Sequence, residues 1–509
     1  MKYIHVMFSM STVLTCKRIQ WIALLVCSLN GNCQISQTGR FEINLTKEEP
    51  DDYTTAGLEQ NGLMLYRRHP GKKQDQIELI KIDTALRETW RGFIVVEKRM
   101  TIMQVQFHAD LFFMLLKDRE YLGNDFQIIA VKLATGDFGS YTVKNIIPFF
   151  PTEFMITGKA ALVGGYFNNR PLVLYYNFTL QQSRILPGFF NSPGELNQIK
   201  VYEDGSLDVI VSAKNFEKKR ALWIRNYDPQ GELAKTTVIQ PEQEKNLIFG
   251  RSLKLENGEQ VVAGVYGRFT EYSRGIFLAN VNAMGEYTIQ YYNFSQLEHF
   301  FNYMKAKQQK RVRERIERKK IKGKKTKFNY RLLVHDLIFY NNQLLLVGEA
   351  FYPHYIYPRH QDMQVSYYDP QVRSNMIFDG YQYTHAVAVG FNKSGQLIWD
   401  NSFEINDLRT FQLRQFVKIK TEKDRILLMY LFHNVIRTKI IHDNEVLEGK
   451  TSDQMKSKFE DEVLDKESTN TDQMDYWYGN YLYAFGTQTL KNKQGSSRKV
   501  FFVNKITYR

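Results

Sequence analysis

The sequence predicts an all-β chain that folds as a β-propeller of eight four-stranded blades. The segment 197–239 shows the repeating unit, which has four runs of alternating apolar and polar residues, the first two joined by a tight turn at Gly205. Such alternation, with glycine, asparagine or aspartate between the runs, is typical of antiparallel hairpins. Four strands in about 45 residues make up one propeller blade.

The first hairpin turn of this unit recurs along the whole chain. Its eight positions are Gly62, Asp110, Gly158, Gly205, Gly258, Asn342, Asp424 and Gly479. The unit at 153–186 is short, so a seven-bladed ring is the alternative. The last unit runs out after three strands. We expect Phe41, Ile43 and Leu45 to lie on its fourth strand and to close the ring without an exposed sheet edge.

Residues 1–33 predict a signal peptide. Lys17 and Arg18 precede the apolar run 19–29, and small or polar residues follow as far as Cys33. The run is too short for a membrane anchor, which is typical of a cleaved export signal. Cleavage after Cys33 is expected, and lipid attachment at Cys33 is the alternative. Residues 34–509 are then a single propeller domain.

The sequence contains no recognisable catalytic or metal-binding motif. All three cysteines (Cys16, Cys27 and Cys33) lie in the leader, so the remaining chain has no thiol nucleophile, thiolate ligand or disulfide. An exported domain without disulfides is more typical of a bacterial envelope than of an animal extracellular space. No nucleophile elbow, Walker loop or dinucleotide fingerprint occurs. We predict no catalytic residue, no metal and no cofactor. If the protein is an enzyme, its polar channel residues, such as Glu59, Gln104 and His335, are the candidates.

The formal net charge of +14 is concentrated in one inserted segment. Residues 305–327 contain 13 Lys and Arg against two Glu, and the leader adds three cations, so the rest of the chain is neutral. We expect the insertion 295–328 to be a basic helix, with a capping box at Ser295 and Glu298 and a stop at Gly323. Its predicted partner-binding cations are Arg311, Arg313, Arg315, Arg318, Lys319 and Lys320.

Two further insertions share a face with the basic helix. The segment 351–383 is rich in tyrosine and proline, a composition that suits recognition of protein or sugar. Its predicted partner-binding residues are Tyr352, Tyr355, Tyr357, Tyr367, Tyr368 and Tyr381. The segment 450–472 is acidic, and we hypothesise that this acidic stretch, up to residue 475, folds over the basic helix. All three belong to connections on one side of the disc, where loops carry function more often than the scaffold does.

Part of the sequence carries a family resemblance. The stretches concerned are 331–336, 349–353, 378–381, 384–386, 399–405, 444–449 and 498–504. They resemble an exported β-propeller family of Gram-negative bacterial envelopes that has no assigned activity. The resemblance covers the C-terminal third. It implies export and the propeller fold, and it carries over no catalytic residue.

These observations favour a non-catalytic interaction scaffold of the periplasm or outer membrane. Its decorated face would bind a protein partner, for example a secretion or uptake complex. One alternative is a carbohydrate-active propeller enzyme or glycan-binding protein. Another is a binder of anionic lipid or lipopolysaccharide through the basic helix. Export argues against a nucleic-acid partner, although the charge density suits phosphates. The sequence leaves the oligomeric state open.

Overall fold

The computed structural model describes residues 35–46, 52–119, 125–145, 147–188, 193–255, 258–356, 377–465 and 471–508. These residues form eight antiparallel sheets that follow one another along the chain. The predicted eight-bladed β-propeller is therefore confirmed, and the seven-bladed alternative is wrong. The predicted signal peptide, 1–33, lies outside the described residues.

The strands of each blade are lettered a to d from the central channel outward. The first strand, β1, spans Ile35–Leu45. Blade 1 contains β2 to β5 (Thr54–Gly57, Leu63–His69, Gln74–Ile82, Glu88–Glu97). Blade 2 contains β6 to β9 (Met100–His108, Leu111–Asp118, Phe126–Lys132, Phe138–Val143). Blade 3 contains β10 to β13 (Phe150–Ile156, Ala160–Phe167, Arg170–Asn177, Gln182–Ile185). Blade 4 contains β14 to β17 (Gly194–Val201, Leu207–Lys214, Arg220–Tyr227, Leu233–Ile239).

The second half of the ring is less regular. Blade 5 contains β18 to β21 (Asn246–Lys254, Gln260–Gly267, Gly275–Val281, Tyr287–Asn293). Blade 6 contains β22 to β27 (Arg331–Val334, Ile338–Tyr340, Gln343–Ile356, Ile377–Phe391, Leu397–Glu404, Arg409–Thr410). Blade 7 contains β28 to β31 (Lys418–Glu422, Arg425–Phe432, Val435–His442, Glu445–Gln454). Blade 8 contains β32 to β35 (Val463–Leu464, Gln473–Tyr476, Tyr481–Lys491, Ser497–Tyr508), together with β1.

The predicted turn residues lie where the repeat requires them. Each of the eight stands between strands a and b of its blade. Gly205 and Gly258 have φ angles of +82° and +79°, a backbone region in which glycine carries no Cβ penalty. The short unit at 153–186 is a complete blade 3.

The two ends of the chain close the ring. Strand β1 pairs antiparallel with β35, placing Phe41 opposite Val503 and Ile43 opposite Phe501. The predicted closing strand is therefore confirmed. The closure leaves no unpaired edge on β35, since its other neighbour is β34.

The apolar core follows the ring. In the described residues, eight clusters of buried apolar side chains each join two neighbouring blades, and one of them joins blade 8 to blade 1. Phe403 and Tyr430, for example, pack across blades 6 and 7 with ring centroids 5.3 Å apart. Because each blade packs both faces against its neighbours, middle strands such as β7, β19 and β29 are buried along almost their whole length. Outer strands such as β5 alternate between buried and exposed residues.

One α-helix, α1, is described, and it spans Ala306–Ile321. The expected capping box of Ser295 and Glu298 is wrong. Asn293 and Gln296 instead form a reciprocal box on a single 3-10 turn, Phe294–Gln296. Helix α1 begins later, with no side-chain cap at Lys305. It ends as expected at Gly323 (φ +64°), whose N–H donates to the Lys320 carbonyl.

Candidate functional site

The connections between strands b and c, and between strand d and the next strand a, lie on one side of the disc, here called the decorated face. Helix α1 belongs to the connection from blade 5 to blade 6. The long hairpin of β24 and β25 is the b–c connection of blade 6. The connection 405–417 leads from blade 6 to blade 7. The fold therefore brings the basic helix and the tyrosine-containing hairpin to the same side.

Within the described part of the chain, the cations of α1 have no carboxylate partner. Val312 and Ile316 turn its narrow apolar side toward Phe328 and the core between blades 5 and 6. The predicted binding residues Arg311, Arg313, Arg315, Arg318 and Lys320 are exposed, and Lys319 is half-buried. Arg313 donates to the Asn302 side chain and Arg318 to a helix carbonyl. Among the described residues, no Lys or Arg of 305–327 forms an ion pair with a carboxylate.

Aromatic side chains form an exposed cluster beside the hairpin. Phe378 contacts Tyr355, Tyr381 and Phe411 at centroid distances of 5.8, 5.0 and 6.1 Å. Phe411 is 69% exposed and Tyr355 is 47% exposed. We call Tyr355, Phe378, Tyr381 and Phe411 the hairpin cluster. It contains two of the predicted tyrosines.

The other predicted tyrosines lie elsewhere. Tyr352 is exposed on β24, next to the hairpin cluster in the chain. Tyr357, Tyr367 and Tyr368 lie outside the described residues.

No described carboxylate of the acidic segment forms an ion pair with a cation of α1. Glu462 pairs with Arg498 at 2.6 Å, and Asp465 pairs with Lys491 at 3.1 Å, both within blade 8. Asp475 pairs with Lys418 of blade 7. These ion pairs contradict the hypothesis that the segment folds over the basic helix. Three of its carboxylates are therefore neutralised by cations of blades 7 and 8.

A cavity of about 530 Å³ opens in the central channel on the decorated face. It is lined by the inner strands of blades 3 to 6 and by the connection before β28. Glu153 lies on one wall, and Arg331 and Arg414 approach from blades 6 and 7. Phe249 and Phe351 add aromatic surface. A second cavity of about 290 Å³ shares Arg414 and continues toward blades 8 and 1.

Irregularities in the inner strands determine which polar residues face this channel. Strand a of blades 2 to 5 has a register shift at Met103, Thr152, Asn197 and Ile248. A bulge turns the side chain that follows it toward the other face of the strand. Gln198 accepts from the Ser252 N–H at 2.9 Å and donates to Asp336 at 3.3 Å. Three of the four following residues (Gln104, Glu153 and Gln198) are polar, so the bulges supply polar side chains to the channel wall.

The three residues predicted from the sequence to line the channel lie in different surroundings. Glu59 lies on an exposed 3-10 turn after strand a, so it does not line the channel strand. Gln104 donates to the Thr152 carbonyl of the next blade. His335 is buried, with Nε2 2.7 Å from Glu349 Oε1. Glu349 also accepts the N–H groups of Phe416 and Val417, so this pair fastens blade 6 to blade 7.

Sequence reasoning missed Glu153, Arg331 and Arg414. Burial raises the pKa of Glu153; Arg251 opposes the shift and Asp336 adds to it. Burial likewise lowers the pKa of the Arg414 guanidinium, which lies 4.5 Å from the Phe416 ring. The local signal for Glu153 would have been the two-residue break in alternation at Pro151 and Thr152. Arg414 lies in an irregular connection and has no such signal.

Within the part of the chain that the structure describes, no three His, Cys, Asp or Glu side chains are grouped so as to hold a metal ion. Among the same residues, no helix has the length and hydropathy needed to cross a membrane.

The fold and this site define the class of the protein: an eight-bladed β-propeller whose decorated face carries a strongly basic helix. No protein-family model and no curated protein matches the chain. Among solved structures, it is similar to a polysaccharide lyase, with 11% identity and a TM-score of 0.40 over 79% of this chain and 89% of that one. It is also similar to the β-propeller domain of the Trilobed protease from Pyrococcus furiosus, with 10% identity and a TM-score of 0.36 over 79% of this chain and 93% of that one. A dihydro-heme d1 dehydrogenase gives 8% identity and a TM-score of 0.44 over 92% of this chain and 79% of that one. Likeness at this level carries no argument about activity.

Proposed function

We propose that the protein is a non-catalytic interaction scaffold of the Gram-negative cell envelope, periplasmic or associated with the outer membrane. Its decorated face binds an acidic surface of a protein partner. The observation that carries the proposal is the set of α1 cations that have no carboxylate partner among the described residues. Like charges crowded on one helix repel one another, and an acidic partner relieves that repulsion while steering association.

The hairpin cluster supports the same function. Aromatic side chains dominate binding energy at protein interfaces when a partner covers them. Phe378 and Phe411 are exposed on the decorated face together with α1. An apolar contact beside a charged one gives both affinity and orientation.

The packing of α1 favours a protein over a lipid surface. An interfacial membrane helix buries its apolar side among acyl chains. In α1 that side, Val312 and Ile316, is already packed against Phe328 and the core. The helix therefore presents mainly charge to its surroundings, which suits a folded acidic surface.

The test compares two variants with equal loss of charge. The α1-neutral variant combines Arg311→Gln, Arg313→Gln, Arg318→Gln and Lys320→Gln. The control replaces four exposed cations of a–b and c–d turns, on the opposite side of the disc, by glutamine: Arg87, Lys132, Lys159 and Lys423. Each protein is used to capture partners from detergent-solubilised envelopes. The captured protein is then purified, and its affinity for each variant is measured at low and high salt.

We expect one acidic protein to bind the wild type and the control equally. Its affinity for the α1-neutral variant should fall about tenfold or more, and salt should weaken the wild-type complex in the same way. Equal binding of the purified partner by all three proteins contradicts the proposal. Salt-sensitive binding to phosphatidylglycerol vesicles without any protein partner contradicts it as well, and would favour an anionic-lipid function.

A further inference from the structure

The channel cavity contains charged groups that the scaffold function does not use. Arg414 has a buried Nε atom without a hydrogen-bond acceptor. The Asp472 carboxylate attracts the Arg414 guanidinium, but it accepts the Asn434 N–H and forms no ion pair with Arg414. Arg331 donates only to the Glu271 backbone carbonyl and lies 4.7 Å from the Tyr272 ring. Two guanidinium groups therefore line one cavity without a carboxylate partner among the described residues.

The opposite side of the cavity carries the complementary chemistry. The carboxylate of Glu153 makes no hydrogen bond to the described residues and is half-buried beside the Thr152 bulge. A carboxylate in this setting accepts hydrogen bonds from hydroxyl or ammonium groups. Two other charged residues of the lining have ion-pair partners, since Arg251 pairs with Asp336 and Glu195 with Arg220. The half-buried charges without an ion-pair partner among the described residues are thus two guanidinium groups toward blades 6 and 7 and one carboxylate toward blade 3.

We propose that this cavity binds a small organic ligand that has a carboxylate at one end and hydrogen-bond donors at the other. Arg331 and Arg414 hold the carboxylate, Glu153 accepts from the donors, and Phe249 and Phe351 cover the carbon skeleton. Guanidinium groups match carboxylates through paired N–H donors, and a ligand relieves the cost of leaving them unpaired. The volume of about 530 Å³ lies within the usual range for small-molecule sites.

Two ligand sources share this chemistry. An acidic sugar supplies its donors as hydroxyl groups, whereas an amino acid or short peptide supplies them as an ammonium group. Both place the carboxylate on Arg414. The proposal does not rest on partner docking, because the cavity lies in the channel and α1 is not among its lining residues.

The experiment measures binding to the intact protein by isothermal titration calorimetry. The probes are glucuronate, galacturonate, glycylglycine and glucose, the last being a sugar without a carboxylate. The variants are Arg414→Met, which removes the charge and keeps most of the length, and Glu153→Gln, which keeps the shape. Arg170→Met, at an exposed position of blade 3, is the matched control.

We expect at least one of the carboxylate probes to bind and glucose to bind much more weakly. Arg414→Met should weaken that binding about ten- to hundredfold, and Arg170→Met should leave it unchanged. Binding of the uronates alone identifies the donors as hydroxyls, and binding of glycylglycine alone identifies them as an ammonium group.

Glu153→Gln provides the readout if Arg414→Met fails to fold. It should weaken binding of the probe that binds the wild type, because a charged acceptor becomes a neutral amide. The proposal is overturned if no carboxylate probe binds better than glucose, or if the folded variants bind as tightly as the wild type.

Discussion

Arg498 forms ion pairs at the seam where β1 closes the ring. Arg498 of β35 donates to Glu42 of β1 at 2.8 Å and pairs with Glu462 at 2.6 Å. The side chains of Glu42 and Glu462 are only 3% and 8% exposed. We predict that Arg498→Met destabilises the protein, because it leaves Glu462 buried without a cation while Glu42 keeps only Arg40.

The size of this effect follows from burial. Removing one partner of a buried ion pair costs about 3 kcal/mol or more in the free energy of unfolding. We expect about 3 kcal/mol, since Glu42 retains one partner. Urea titration followed by tryptophan fluorescence and circular dichroism measures it as a lower midpoint.

The effect should also depend on pH with a definite sign. Burial raises the pKa of Glu42, but hydrogen bonds from Arg40 and Arg498 outweigh it and leave the pKa below its ordinary value of 4.5. A depressed pKa stabilises the fold above the ordinary value, and the contribution is lost as pH falls through the folded pKa. The difference between wild type and variant should therefore be largest near neutral pH and shrink below about pH 4.5.

Arg87→Met is the matched control. Arg87 pairs with Asp83 at 3.2 Å on the surface, where its side chain is 79% exposed. The control should cost no more than about 0.5 kcal/mol. If Arg498→Met is no more destabilising than Arg87→Met, the closing network does not hold the ring as argued.

Three further predictions concern single residues. Burial lowers the pKa of His385 to about 3, so protonation favours the unfolded chain as pH falls below the ordinary value of 6.5. His385→Phe should therefore flatten the pH dependence of the unfolding free energy between about pH 6 and 5; an unchanged slope in urea titrations would contradict this. Gly323→Ala should destabilise the end of α1 by about 1 kcal/mol, because residue 323 has a positive φ angle. The expected readout is faster amide exchange at 319–322 only. The hydroxyl of Tyr383 donates to the Arg414 carbonyl at 2.7 Å and accepts its N–H. Tyr383→Phe should cost about 1 to 2 kcal/mol in urea titrations, and a neutral result would show that water replaces the bonds.

The blades were predictable because their signals are local. Period-two alternation and glycine turns depend on neighbouring residues, as at Gly205, and the closing strand was predictable because one unit lacked its fourth run. The start of α1 was not predictable in this way. Ser295 and Glu298 match the pattern of a helix capping box, but these residues follow Asn293, which caps a 3-10 turn instead.

The residues that line the channel could not be predicted from the sequence, for a different reason. A bulge such as the one at Thr152 shifts every later side chain of its strand to the other face, so alternation alone places Glu153 wrongly. Arg414 reaches the cavity from an irregular connection held by Tyr383, a contact 31 residues away in the chain. Only the folded ring brings these residues together.

Photo-crosslinking in living cells shows whether α1 is the docking element. A photoreactive amino acid is placed at Lys310 on α1, and the same residue is placed at Lys132 of blade 2 as the control position; both are exposed. We predict one defined protein adduct from Lys310, none from Lys132, and loss of the adduct when the α1-neutral substitutions are added. Equal adducts from both positions, or an adduct that survives neutralisation of α1, would contradict docking through α1.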